Sequence, residues 1–278
     1  MLAPYLVGLS ILTLAPALIT FALSFTQYDV FTPPEWYGLT NFQNFVIDPR
    51  FQRALFNSLW FGLVAVPLRV AGAFLLALAL NRNGRAFEFV RATVYLPTLI
   101  PEVAYAFVWL LIFNPGIGPI NLILTTFGIE PIAWLQDALT ARAGIVVMWL
   151  FQLGEGFILM LAVLQTLSPD LFESAALDGA NRWQRFRWII LPMMTPALFL
   201  LLFRDTALSF SSTFVPGAIT TEGGPYYATF FMSQYVFDES FKLFKFGYGS
   251  AITVVIYLLT LLLICLQFLP VGRFRFDE

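Results

Sequence analysis

Long apolar stretches alternate with short polar ones along this chain. Six of them reach the roughly 20 residues that a bilayer-crossing helix needs. They cover 3–25, 55–80, 91–113, 142–167, 189–212 and 248–270. Nothing between them has the composition of an appended soluble domain, so the pattern predicts one all-α membrane domain over 1–278 with six transmembrane helices. The first stretch lacks a charged leading region and a small-residue cleavage site, and reads as a retained helix rather than a signal peptide. Arg82, Arg85 and Arg91 follow the second stretch, Arg182, Arg185 and Arg187 the fourth, and Arg273 and Arg275 the sixth. The opposite segments hold Arg50, Arg53, Arg142, Lys242 and Lys245 against eight acidic residues. Because cytoplasmic loops retain Lys and Arg, both termini are expected in the cytoplasm.

The polar segment at 168–188 is too long for a simple turn. Ser168 can cap a helix that starts at Pro169, and Asp170 and Glu173 fall in its first turns, where the helix dipole favours negative charge. Glu173, Ala176 and Ala180 lie near one face, and Ala175 beside Ala176 keeps that helix thin. Gly179 permits a backbone turn that other residues resist. A second helical piece carries Arg182, Arg185 and Trp188 along one face, and Pro192 can start or kink the next span. These features fit either a solvated positive loop with an ordinary helix cap or a surface that another protein grips. On the other side, residues 230–246 form an aromatic stretch that fits an amphipathic helix along the outer surface.

Charges inside spans are costly and by default suggest function. There are five: Arg69, Glu102, Glu155, Arg204 and Asp205. At about 1.5 Å of rise per residue, Glu102 would lie roughly 17 Å into its span. The others would lie at comparable depth. Glu102, Tyr105 and Trp109 share a helical face, as do Gln152 with Glu155 and Asp205 with Ser209. Such stripes can line a wet path, with acceptors for hydroxyls and an aromatic face for a ring of a passing solute. The same charges can equally form a structural layer, with Arg69 and Arg204 paired to the acids. Two bases against three acids favour a neutral solute over a phosphate. Pro101 and Pro67 mark places where helices can bend.

Composition agrees with a membrane chain. Of 278 residues, 59% are hydrophobic and 12% charged, against about 25% charged in soluble domains. Mean hydropathy is +0.79. A net charge of −2 and the lack of His argue against nucleic-acid binding, a metal site and histidine catalysis. The single Cys265 lies in an apolar run and reads as a small hydrophobe.

Residues 173–180, ESAALDGA, followed by Ile190, Leu191 and Pro192, resemble the EAA…G…I-LP loop of ABC importer permeases. Ser174 stands where that family often has Ala. Further short runs resemble the carbohydrate subgroup: FTQY at 25–28, NS at 57–58, LP at 96–97, Trp109 with NPG at 114–116 and Asn121, TEGGP at 221–225, and GYGSA at 247–251. That subgroup includes permease subunits of maltose, glycerol-3-phosphate and trehalose importers. The resemblance implies that the loop forms coupling helices docking on an ATPase. Glu173 would anchor, with Ala176, Asp178 and Arg182 beside it, Gly179 would turn the chain, and Pro192 would pass motion to the fifth span. It further implies a second homologous permease, two ATPase subunits holding ATP and magnesium, a periplasmic or lipid-anchored solute-binding protein, and a bacterial or archaeal inner membrane. No cofactor is expected on this chain. It has no Gly-x-x-x-x-Gly-Lys-Ser/Thr loop with which to hydrolyse ATP itself. An ion-gradient-driven secondary transporter using the intramembrane acids is the alternative. A membrane enzyme has little to be built from, with no His, no cysteine site and no catalytic cluster.

Overall fold

The structure is a computed structural model and describes residues 2–271; Arg273 and Arg275 lie outside the described residues. In chain order it forms α1 (Ala3–Leu23), the short strands β1 (Thr26–Gln27) and β2 (Glu35–Trp36), α2 (Thr40–Ile47), α3 (Pro49–Leu80), α4 (Arg85–Tyr95), α5 (Glu102–Ile112), α6 (Pro119–Thr126) and α7 (Ala138–Phe151). There follow α8 (Gly154–Gln165), α9 (Pro169–Leu177), α10 (Arg182–Ser209), α11 (Phe214–Thr220), α12 (Met232–Phe237) and α13 (Phe246–Val271). The strands pair antiparallel, with Thr26 opposite Trp36 and Gln27 opposite Glu35. Among the described residues, four helices are long and apolar enough to cross a membrane, and up to six if each of two bent pairs counts as one span.

Both bends alter what the apolar pattern predicts. Between residue 99 and α5 the chain turns by 106°. Ile100 is extended, with ψ of 128°, because a residue before proline is driven out of the helical region. Glu102 therefore opens a new helix, and a depth counted along one straight span does not apply to it. Between α7 and α8 the bend is 44°. Gln152 ends α7 and Glu155 begins α8, so the two do not share a continuous helical face. Pro67, by contrast, is absorbed within the unbroken α3.

The chain divides into two compact units, residues up to 59 with those from 210 onward, and residues 60–209. In the first, a core of Phe45, Phe51, Ala54, Phe230, Met232, Tyr235, Ala251 and Ile252 is fully packed. Phe45 and Phe51 stack with ring centroids 4.2 Å apart. The stretch 230–246 is two-sided: Phe230, Phe231, Met232, Tyr235 and Glu239 are buried, with Phe230, Met232 and Tyr235 in this core, while Phe237, Phe241, Leu243 and Phe244 are exposed. Buried side chains of α3 hold the backbone at its start. Asn57 donates to the carbonyls of Tyr227 (2.6 Å) and Phe230 (2.9 Å), and Ser58 Oγ accepts from the Met232 amide at 2.9 Å. Buried backbone groups that found no such partners would cost about 1–3 kcal/mol each. Gly247 and Gly249 are needed for close approach, since a side chain at either would collide with Thr26 or Ser240. No residue in the most apolar window of α1 is buried within the chain.

In the second unit, α8 packs tightly on α4 and on α10. A Cβ at Gly154 would come within 2.9 Å of the Tyr95 backbone, and one at Gly156 within 3.0 Å of Leu201. Small residues of this kind let helices in a membrane approach closely. Asn121 staples the loop after α6, accepting from Ile132 N and Trp134 Nε1 at 3.1 Å each and donating to the Ile132 carbonyl at 2.9 Å.

Candidate translocation and coupling sites

The polar segment at 168–188 folds as two short helical pieces around a tight turn. Ser168 caps α9 by accepting from the Asp170 amide at 3.3 Å, with Pro169 at the first position. The helix closes when Gly179 adopts φ of +78°. Its amide then reaches the Ala176 carbonyl at 3.1 Å, and the Ala180 amide reaches Ala175 at 2.9 Å. This is the double hydrogen-bond closure typical of a left-handed helix end. Ala180 is therefore outside the helix and off the Glu173–Ala176 face. A second cap follows at once. Asn181 Oδ1 accepts from the Gln184 amide at 2.9 Å, and Gln184 Oε1 accepts from the Asn181 amide at 2.8 Å. The pattern Asn-x-x-Gln is a legible capping box that the charge-led reading passed over.

All the sequence-predicted loop residues are exposed: Glu173, Ala176, Asp178, Gly179, Arg182 and Pro192. Apolar side chains stand out beside them, with Leu177 90%, Trp183 67% and Trp188 73% exposed. A cleft bounded by Asp178, Gly179, Arg185 and Trp188 lies at the turn. The second piece does not stop before the apolar stretch that follows it. It runs through one π-helical turn, Phe186–Ile190, into α10. Pro192 thus lies inside a continuous helix rather than starting one. The extra residue of the π turn shifts the register between Arg185 and Trp188, which therefore do not follow one regular face.

Four of the five charges expected inside spans form two pairs, and Glu102 is in neither. Arg69 on α3 lies 3.7 Å from Asp205 on α10, and both are buried, at 6% and 1% exposure. The Arg69 guanidinium also donates to the Gln152 carbonyl at 2.5 Å and lies 4.3 Å over the Trp149 ring. It thereby satisfies a carbonyl that the end of α7 leaves open. Both carboxylate oxygens of Asp205 are buried and accept no hydrogen bond. The second pair, Arg204 with Glu155, is half-exposed. Adjacent on α10, Arg204 and Asp205 point to different partners, as their 100° separation requires.

Of the remaining path candidates, Tyr105 and Trp109 are buried. The Tyr105 hydroxyl donates to the Met148 carbonyl at 2.6 Å, and Trp109 packs edge-on against Phe151. Ser209 is buried, donates to the Thr206 carbonyl at 2.8 Å, and lies against Gly62 of α3. Glu102 and Glu155 are exposed and Gln152 is half-buried. The structure therefore gathers Arg69, Gln152 and Asp205 around the α7–α8 break and leaves Glu155 with Arg204 accessible. Tyr105, Trp109 and Ser209 are packing residues in this conformation. Among the described residues no His, Cys, Asp or Glu cluster could hold a metal ion.

Comparisons with known proteins bear on the chain as a whole. The family model described as "Binding-protein-dependent transport system inner membrane component" matches residues 69–275. The "Probable ABC transporter permease protein YesP" of Bacillus subtilis is 36% identical over 271 residues, covering 94% of this chain and 87% of the relative. The "Trehalose/maltose transport system permease protein MalF" of Thermococcus litoralis is 31% identical over 279 residues, covering 100% and 94%. The fold is shared, with a TM-score of 0.84, 22% identity and coverage of 96% and 91%, by a chain in the "Crystal structure of bacterial alginate ABC transporter in complex with alginate pentasaccharide-bound periplasmic protein".

Proposed function

Since this chain belongs to the family of binding-protein-dependent transport system inner membrane components, we propose that it is the permease subunit of an ATP-driven ABC importer for a sugar or sugar-like solute. The similarity over its whole length to a trehalose/maltose permease carries this reading. The chain is a multi-pass membrane protein with several strongly apolar helices. In the proposed arrangement each bent helix pair makes one span, giving six, with both termini in the cytoplasm of a bacterial or archaeal cell. It is one membrane domain and supplies half of the translocation path, and a second homologous permease supplies the other half. Two ATPase subunits, which carry ATP and magnesium, dock on α9 and the turn at Gly179. A periplasmic or lipid-anchored solute-binding protein delivers the solute. Co-purification followed by mass spectrometry is expected to recover these three kinds of partner. Recovery of the chain alone, with uptake collapsed by an uncoupler at constant ATP, would favour an ion-driven transporter.

The Glu155–Arg204 pair and Glu102 are the parts of the charge layer that a solute can reach. Glu155→Ala is expected to cost under about 1 kcal/mol of stability, because an exposed ion pair contributes little. It is also expected to raise the substrate concentration needed for half-maximal uptake or ATPase stimulation. Unchanged transport kinetics would assign the pair to helix packing alone. The overall layer, with two bases and three acids, supports a neutral solute.

A further inference from the structure

Within the unit formed by the two ends of the chain lies a cavity of about 860 Å³, formed by the strand hairpin, α2 and the approach to α13. That volume lies within the range of small-molecule sites, roughly 300–1,000 Å³. Three tyrosines line it, Tyr28, Tyr37 and Tyr248, together with the amides of Gln27, Asn41 and Asn44. Two buried polar side chains stand in its wall, one with an open acceptor and one held by ion pairs. Asn41, 5% exposed, spends its amide group on the carbonyls of Ser24 and Thr26, each at 2.9 Å, and its Oδ1 is left without a partner among the described residues. Glu239, 3% exposed, is paired through Oε1 with Arg50 at 3.0 Å, while its buried Oε2 accepts no hydrogen bond and has Lys245 Nζ at 3.4 Å.

The charge of the lining selects among ligands. Asp29, Glu35, Asp48 and Glu239 face only Arg50 and Lys245. Burial pushes the Asp48 carboxyl up, but hydrogen bonds from Tyr235, Tyr248 and the Arg50 and Phe51 amides outweigh it and hold it below the usual carboxylate range. Hydrogen bonds from the Thr32 amide and hydroxyl do the same for Asp29. The wall is thus net negative at neutral pH and repels phosphates and carboxylates. Paired acceptors, amide groups and aromatic faces suit an uncharged ring bearing several hydroxyls.

We propose that this cavity is a saccharide-binding site distinct from the charged residues of α3, α8 and α10, taking a neutral mono- or disaccharide on the outer side of the membrane. The inference rests on the sugar-importer reading and on the orientation given with it. The site would hold sugar near the entrance before it reaches the path.

The test uses the full complex in nanodiscs without its binding protein, titrated with glucose, maltose and trehalose, and with sn-glycerol 3-phosphate as the anionic comparison. At least one neutral sugar is expected to bind and the phosphate not. Tyr37→Ala and Asn44→Ala, which remove a ring face and an amide from the wall, are each expected to weaken binding by about tenfold. Sugar binding unaffected by both variants, or binding of none of the three sugars, overturns the proposal. So does a weakened contact with the binding protein without any sugar binding, which would make the cavity a protein-docking surface. Sugar uptake measured after adding the binding protein separates the two readings: uptake without binding at the cavity overturns this inference alone, and absence of uptake with any sugar overturns the importer reading.

Discussion

Gly179→Asp is expected to abolish ATP-driven uptake while leaving the chain folded and inserted. Two independent observations lead there. Gly179 holds φ of +78°, so a side chain at this position is strained, by roughly 1–2 kcal/mol. That is small against the roughly 5–15 kcal/mol stability of a folded protein. A Cβ at this position would meet nothing within 4 Å, so the substituent projects from the exposed turn into the space a partner would fill. The loss therefore falls on docking rather than on folding. Uptake is expected to fall by at least about tenfold, equivalent to ~1.4 kcal/mol of coupling, with membrane insertion and thermal stability close to wild type. Glu173→Lys, which reverses the charge on the exposed face of α9, is expected to act in the same direction. Gly179→Ala separates strain from bulk, since it carries the backbone penalty but little projection. Retained ATPase docking and persistent uptake in both Gly179→Asp and Glu173→Lys would remove the coupling role from this loop.

The loop was legible because its information is local. A capping serine, a proline at the first helical position and a glycine ten residues later act within single turns, and the structure realises each of them. The apolar stretches were legible for the same reason, since length and composition suffice to mark a bilayer-crossing helix. Breaks inside the stretches were less so. Pro101 signalled its own bend, but the α7–α8 break at 152–153 has no proline. It depends on α4 approaching at Gly154 and on Arg69 filling the Gln152 carbonyl, both contacts between parts of the chain distant in sequence. Counting faces at 3.6 residues per turn through such a break joined Gln152 to Glu155 wrongly. The same counting put Tyr105 and Trp109 on a polar stripe, although their rings complete the interior of their unit. The runs at 57–58 and 247–251 were visible only as resemblance. In three dimensions Asn57 and Ser58 hold the backbone after Pro225, Gly247 lets α13 touch the hairpin, and Gly249 lets it touch Ser240. Those are packing roles, which depend on contacts between segments distant in sequence.

Arg69→Ala is expected to be the most destabilising single change in the charge layer. It leaves Asp205, 1% exposed and with two oxygens that accept no hydrogen bond, as an uncompensated buried charge. It also opens the Gln152 carbonyl and removes the guanidinium from the Trp149 face. Removing one member of a buried ion pair costs about 3–5 kcal/mol, which for a chain of this size corresponds to a drop on the order of 10 °C in melting temperature. Arg204→Ala is expected to cost under about 1 kcal/mol, because its pair with Glu155 is half-exposed. The contrast is the informative measurement, since the two arginines belong to one polar layer and differ chiefly in burial. Adding Asp205→Leu to Arg69→Met is expected to restore most of the lost stability, because two apolar groups of similar size replace a costly pair. The remaining deficit then measures the Gln152 carbonyl and the α7–α8 break. If the double variant melts like wild type but no longer transports, Arg69 acts chiefly by holding that break in a working geometry. If Arg69→Ala melts within about 1 °C of wild type, the buried pair contributes no stability and the helices are held by their glycine contacts instead.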